Sequence, residues 1–189
     1  MTLEPFLIST GLVAIAEIGD KTQLLALVLA ARFRAPWPIL AGILVATIAN
    51  HALAAAVGAF AGHLVSDQAA RWLLGALFLA FAAWALVPDK FEDEDEPPKR
   101  DGASVFWTTT VAFFLVEMGD KTQVATAALG ARFQDVALVA AGTTLGMMLA
   151  NAPAVLIGEA AATKLPLKLI RLFAAASFAA IGLWILIAG

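Results

Sequence analysis

The chain has 189 residues, 61% of them hydrophobic and 14% charged, with a mean hydropathy of +0.87. Ordinary soluble domains are roughly 45–50% apolar, so an integral membrane protein is expected. The small net charge of −3 and the lack of cysteine exclude a basic nucleic-acid face, disulfides, thiolate metal sites and a cysteine nucleophile.

Apolar runs at residues 5–31, 38–62, 69–87, 104–131, 136–158 and 167–188 each predict a membrane-spanning helix, since about 20 apolar residues cross a bilayer. The expected fold is all-α with six transmembrane helices and no room for a separate soluble domain. Pro36 and Pro38, Pro88 and Pro166 punctuate these runs. The first run opens with Glu4 and carries polar residues in its middle, unlike a cleavable signal peptide.

Outside the spans, Arg32, Arg34, Lys90, Lys99, Arg100, Lys164, Lys168 and Arg171 fall at the first, third and fifth connections. Arg71 and Arg132 alone fall at the second and fourth. Basic residues stay on the cytoplasmic side, so both termini are expected outside the cytoplasm and the central connection inside. That connection, residues 89–103, contains Asp-Lys-Phe-Glu-Asp-Glu-Asp-Glu-Pro-Pro-Lys-Arg-Asp, too polar to pack, and reads as a linker.

A shift of 100 residues lays Thr10 on Thr110, Glu17 on Glu117, Arg32 on Arg132, Arg71 on Arg171 and Trp84 on Trp184. The chain therefore reads as a duplication, residues 1–88 and 104–189, with three helices in each part. An odd number of spans makes the second copy enter the membrane from the opposite face. Inverted repeats of this kind place a site between the copies near mid-depth, as in transporters.

The strongest signal lies inside those repeats, at Glu17-Ile18-Gly19-Asp20-Lys21-Thr22-Gln23 and Glu117-Met118-Gly119-Asp120-Lys121-Thr122-Gln123. Each intramembrane charge costs about 2.5–3.5 kcal/mol on insertion scales, so these side chains must face each other, water or an ion. On a continuous helix Glu17 and Asp20 share a face, as do Glu117 and Asp120. Lys21 and Lys121, four residues after each Glu, are then placed to pair with it. Gln23 and Gln123 add amide oxygens, and Gly19 and Gly119 allow the helix to loosen. Four carboxylates with neutral oxygens make a site for a hard cation such as Mn(II), Ca(II) or Mg(II). Four acids and two lysines sum to −2, which one divalent cation or two protons cancel equally, so exchange of metal for protons follows as an expectation. A static ion-pair network joining the two copies is the competing structural reading.

In these motifs the chain resembles the cation/proton exchangers of uncharacterised protein family 0016, which include Golgi manganese and calcium transporters and bacterial manganese exporters. Their hallmark, Glu-x-Gly-Asp-Lys/Arg-Thr/Ser, is complete at residues 17–22 and again at 117–122. The resemblance implies Mn(II) or Ca(II) moved against protons, with Glu17, Asp20, Glu117 and Asp120 as ion-binding residues. The short ends lead us to expect a bacterial inner-membrane protein rather than an organellar one.

Gln23 and Gln123 are expected to help the four acids, Lys21 and Lys121 to serve as internal counter-charges, and Thr22, Thr122, Asn50 and Asn151 to be auxiliary oxygen donors. His51 has no counterpart in the second copy and is expected to pack between helices. Neither a catalytic elbow nor a phosphate-binding glycine loop occurs, so no enzyme and no cofactor is expected. The expected function is export of Mn(II) by inward proton movement. The alternatives are a Ca(II)/proton exchanger, a passive cation pathway, and, from another class, a membrane assembly protein with buried ion pairs.

Overall fold

The structure, a computed structural model, describes residues 2–87, 105–157 and 167–188. The acidic linker at 89–103 lies outside the described residues, as do Pro88 and Pro166. Eight helices are described: α1 (Glu4–Glu17), α2 (Lys21–Phe33), α3 (Pro36–Gly62), α4 (Asp67–Ala85), α5 (Val105–Glu117), α6 (Lys121–Phe133), α7 (Val136–Ile157) and α8 (Leu167–Ala188).

Six continuous spans were expected, and the first and fourth are instead each divided in two. The division falls inside the charged motifs. Gly19 and Gly119 adopt φ of 83° and 80°, a left-handed conformation that an L side chain enters only with strain. The chain turns there, and Asp20 and Asp120 take extended backbone as the caps from which α2 and α6 restart. Elsewhere the boundaries agree with the apolar runs to within a few residues. Pro36 occupies the first turn of α3, where its missing N–H costs nothing.

Of the described helices, those over Pro36–Gly62, Gln68–Ala85 and Val136–Leu156 are each long and apolar enough to cross a membrane. The outer surface is apolar, with Leu7, Leu53, Phe60, Leu73, Leu149 and Phe173 exposed. Hydrocarbon tolerates such a surface, whereas water does not on this scale.

The packing directions follow from a few contacts. Along α3, Gly42 faces Thr109, Asn50 bonds the Phe114 carbonyl, and Gly58 abuts Ala127, so α3 runs in the same direction as α5 and α6. Along α7, Gly142 lies on Ser9 and Gly146 on Val13, so α7 runs with α1. Helices α4 and α8 run oppositely: the Arg71 guanidinium donates to the Leu186 carbonyl, and Gly182 lies against Leu79. Two apolar cores flank the centre. One gathers Leu12, Phe78, Phe81, Leu129 and Phe178, and the other Leu25, Leu29, Ile43, Phe113 and Met147.

Candidate metal centre

Because each motif is a turn between two short helices, its acids project from helix ends. Glu17 closes α1 and Asp20 opens α2, so the expectation that they share a helix face is corrected: the turn, and not helical periodicity, brings them together. Asp20 Oδ1 accepts from the Lys21 N–H at 2.7 Å. The glutamine three residues on, Gln23, accepts from the Gly19 N–H through Oε1 at 2.9 Å and donates to the Ala150 carbonyl at 2.9 Å. Gln123 repeats the first bond to the Gly119 N–H at 2.7 Å and reaches Asn50 Oδ1 at 3.5 Å. Both amide oxygens therefore hold the turn in place; they do not point freely into the site.

Glu17, Asp20 and Asp120 bring one carboxylate oxygen each within 4.8 Å of one another, and all three are buried. They come from both motifs, so the cluster exists only when the two broken helices meet. Glu117 lies outside that trio. It is 1% exposed, and its Oε1 accepts from the Thr122 hydroxyl at 2.5 Å. The same hydroxyl lies 3.2 Å from Asp120 Oδ2, which links Glu117 to the cluster. Thr22 donates to Glu17 Oε2, also at 2.5 Å. Both threonines thus orient the glutamates. Glu17 Oε1 and Glu117 Oε2 are buried with no hydrogen-bond partner among the described residues. Buried polar atoms are nearly always paired, so two such oxygens point to a partner that the protein itself does not supply.

The lysines correct a second expectation. Each pairs with the aspartate of the other motif rather than with the glutamate of its own: Lys121 Nζ lies 3.1 Å from Asp20 Oδ1, and Lys21 Nζ lies 3.5 Å from Asp120 Oδ1. The two pairs are unequal. Lys121 and Asp20 are almost fully buried, while the Lys21 side chain is 23% exposed. Beside the deeper pair, a cavity of about 10 Å³ lined by Gly19, Asp20, Lys121 and Phe178 has room for one water-sized occupant.

Asn50 and Asn151 are both buried. Asn50 Nδ2 donates to the Phe114 carbonyl at 3.1 Å, and Asn151 Nδ2 donates to the Met147 carbonyl at 3.1 Å, leaving Asn151 Oδ1 without a partner. Asn151 thus keeps an oxygen available, whereas Asn50 is occupied in tying α3 to α5 and α6. Thr10 and Thr110, aligned by the repeat, bond their own helices by donating to the carbonyls of Phe6 and Phe106. His51 packs between helices as expected, and it does so against an acid of the second motif. It is fully buried with Nε2 3.8 Å from Glu117 Oε1. The available signal was its place next to Asn50 on the helix that packs against the second motif.

The turn geometry makes a stability prediction. At Gly119 a Cβ would meet no atom within 4 Å, so Gly119→Ala isolates the cost of the left-handed backbone. Thermal unfolding in detergent should show a loss of about 1–2 kcal/mol. An unchanged midpoint would mean that the turn does not hold this conformation.

The comparisons with known proteins concern the chain as a whole. Residues 5–93 and 105–189 match the family described as "Divalent cation/proton antiporter GDT1", which is nearly the whole chain and both motifs. The chain is 51% identical over 172 residues to a Vibrio cholerae protein named "Putative manganese exporter", covering 90% of this chain and 84% of that one. It is 28% identical over 206 residues to GDT1-like protein 5 of Arabidopsis thaliana, covering 90% of each. It is also 28% identical over 186 residues to GDT1-like protein 4 of Oryza sativa subsp. japonica, covering 86% of this chain and 65% of that one. No solved structure matches. With both broken-helix motifs inside the matched segments, the chain belongs to the GDT1 family of divalent cation/proton antiporters.

Proposed function

We propose that this antiporter carries Mn(II) out of the cytoplasm in exchange for protons, at a mid-depth site made by Glu17, Asp20 and Asp120 with Glu117 beside them. The observation that carries the reading is the trio of buried carboxylates within 4.8 Å, a hard-oxygen set suited to Mn(II) or Ca(II). The name of the Vibrio relative favours Mn(II). Lys21 and Lys121 hold the aspartates when no metal is bound and swing away or lose influence as a divalent charge arrives. Protons replace metal on the same acids, Glu117 included, so that the pocket is never left with its net charge of −2 uncompensated. Asn151 Oδ1 completes the coordination, while Gln23, Gln123, Thr22 and Thr122 shape the turns and Asn50 ties α3 to α5 and α6.

In this reading the eight helices form six spans, with residues 1–88 and 104–189 as inverted three-helix repeats joined by the linker at 89–103. The parallel runs of α3 with α5 and α6, and of α7 with α1, support the inversion: a helix hairpin such as α2–α3 reverses direction, so the second broken helix runs opposite to the first. Trp37, Trp84 and Trp107 lie toward one end of the spans and Trp72 and Trp184 toward the other, all exposed, as expected of two interfacial belts. Both termini then lie outside the cytoplasm of a bacterial inner membrane. The unequal exposure of the two ion pairs supports alternating access, because equivalent halves in different exposure make a state open to one side.

The test is flux in proteoliposomes under an imposed pH gradient. Mn(II) should move against the proton flow and stop when the gradient is collapsed, and Ca(II) should compete weakly. Stronger transport of Ca(II) would reassign the substrate. Flux that ignores the gradient would make the protein a passive pathway, and no flux of either ion would leave only an assembly role.

A further inference from the structure

Away from the acidic centre, a cavity of about 320 Å³ opens where the ends of α3, α6 and α8 meet the start of α4. Its polar lining is His63, Arg71, Arg132 and Gln134, with no carboxylate among the described residues that line it. Arg71 is half-buried and donates to the Leu186 carbonyl through Nε and Nη2, with no bond from its other terminal nitrogen among the described residues. Arg132 lies 5.2 Å from the Trp184 ring and 5.9 Å from the Phe133 ring. Its Nε is buried without a hydrogen-bond partner, and neither arginine has an ion-pair partner among the described residues. Stacking on Trp184 holds the guanidinium in position but leaves its donors unmatched. Asp135, three residues after Arg132, caps α7 by accepting from the Leu138 N–H at 3.0 Å.

A second cleft of about 170 Å³ adjoins this cavity and shares Gly62, Ala70, Leu74 and Ala131 with it, continuing past Val65 and Leu73 with an apolar lining. A basic chamber that leads into a hydrocarbon-faced groove has the polarity of a lipid. The exposed Trp72 and Trp184 mark this end of the helices as headgroup level. A planar guanidinium with free donors suits a phosphate diester, and among the described lining residues no acid stands ready to hold the cation of a zwitterionic headgroup. The geometry points to a binding site for an anionic phospholipid, with the phosphate at Arg132 and Arg71 and an acyl chain along Leu73 and Leu74. Basic pockets between membrane helices take anionic headgroups in this way.

Native mass spectrometry of the full chain, released from detergent with phosphatidylglycerol or phosphatidylcholine, tests the assignment without reference to transport. The wild type should retain phosphatidylglycerol over phosphatidylcholine by at least about fivefold. Arg132→Gln should erase that preference and Arg132→Lys should keep most of it. Gln134→Glu, an exposed change that replaces neither arginine and gives up only the Nε2 bond to the Ala131 carbonyl, should also weaken it by placing a negative charge in the lining. Equal retention of phosphatidylglycerol by Gln134→Glu and wild type, or no headgroup preference in the wild type, would overturn the site. Displacement of the lipid by millimolar glycerol 3-phosphate would show a free-phosphate site and overturn the lipid assignment.

Discussion

Asp20→Asn is expected to stop metal transport and to destabilise the protein, and adding Lys121→Met should restore the stability but not the transport. The asparagine still caps α2, since Asn accepts an N-terminal N–H as well as Asp does, so the local turn survives. What is lost is the negative charge 3.1 Å from Lys121 Nζ in a buried setting. Removing one partner of a buried ion pair costs about 3–5 kcal/mol, mostly from the charge left behind, whereas replacing both partners by neutral groups is often close to neutral. The double variant should therefore unfold near the wild-type temperature in detergent. Its site would keep only Glu17 and Asp120 of the three clustered carboxylates, and a drop in Mn(II) flux of at least about 100-fold, or about 2.7 kcal/mol, is expected. Recovery of both stability and flux in the double variant would show the acids and lysines to be a structural network, and the proposed ion site would be lost.

Much of this centre was legible in the residues themselves. Duplicated acids inside apolar runs cannot face lipid, and a shift of 100 residues aligns them, so a shared polar site followed from insertion cost alone. The helix break was legible in part. Hydrophobicity is continuous across residues 5–31, and a reading based on it passes straight through Gly19. Yet Gly-Asp-Lys-Thr-Gln also spells a stop and a start: a glycine able to take positive φ, an aspartate N-cap, and a glutamine at the third helical position that reaches back to an N–H of the turn. That turn chemistry won over periodicity. The exchange of lysines between motifs was not legible, because spacing of four residues satisfies a local Glu–Lys pair equally well. Only the close approach of the two broken helices makes the longer-range pair available. The approach of His51 to Glu117 was not legible for a similar reason: the two are 66 positions apart in the chain.

The close approach itself yields the second large effect, at Gly58. Helices in lipid gain little from hydrophobicity and associate through packing, which small residues permit by letting backbones touch. Here a Cβ on residue 58 would sit 1.8 Å from the Ala127 carbonyl oxygen, and one on Gly130 would sit 2.3 Å from the Ala55 carbonyl oxygen. These obstacles are backbone atoms, so no rotamer change relieves them and α3 must move away from α6. Overpacking a core typically costs 1–3 kcal/mol when side chains can adjust; with backbone opposed, Gly58→Ala should reach about 3 kcal/mol or more. The displacement also reaches the ion site, since Asn50 and His51 on α3 lie against Phe114, Glu117 and Gln123. Gly58→Ala should therefore lower both the unfolding temperature and Mn(II) flux. Gly11→Ala is the control, because a Cβ there meets nothing within 4 Å, and the gain in helix propensity should leave stability unchanged or raised by up to about 1 kcal/mol. Similar behaviour of the two variants would mean that α3 and α6 do not touch through their backbones, and the route by which α3 positions its polar residues at the second motif would have to be abandoned.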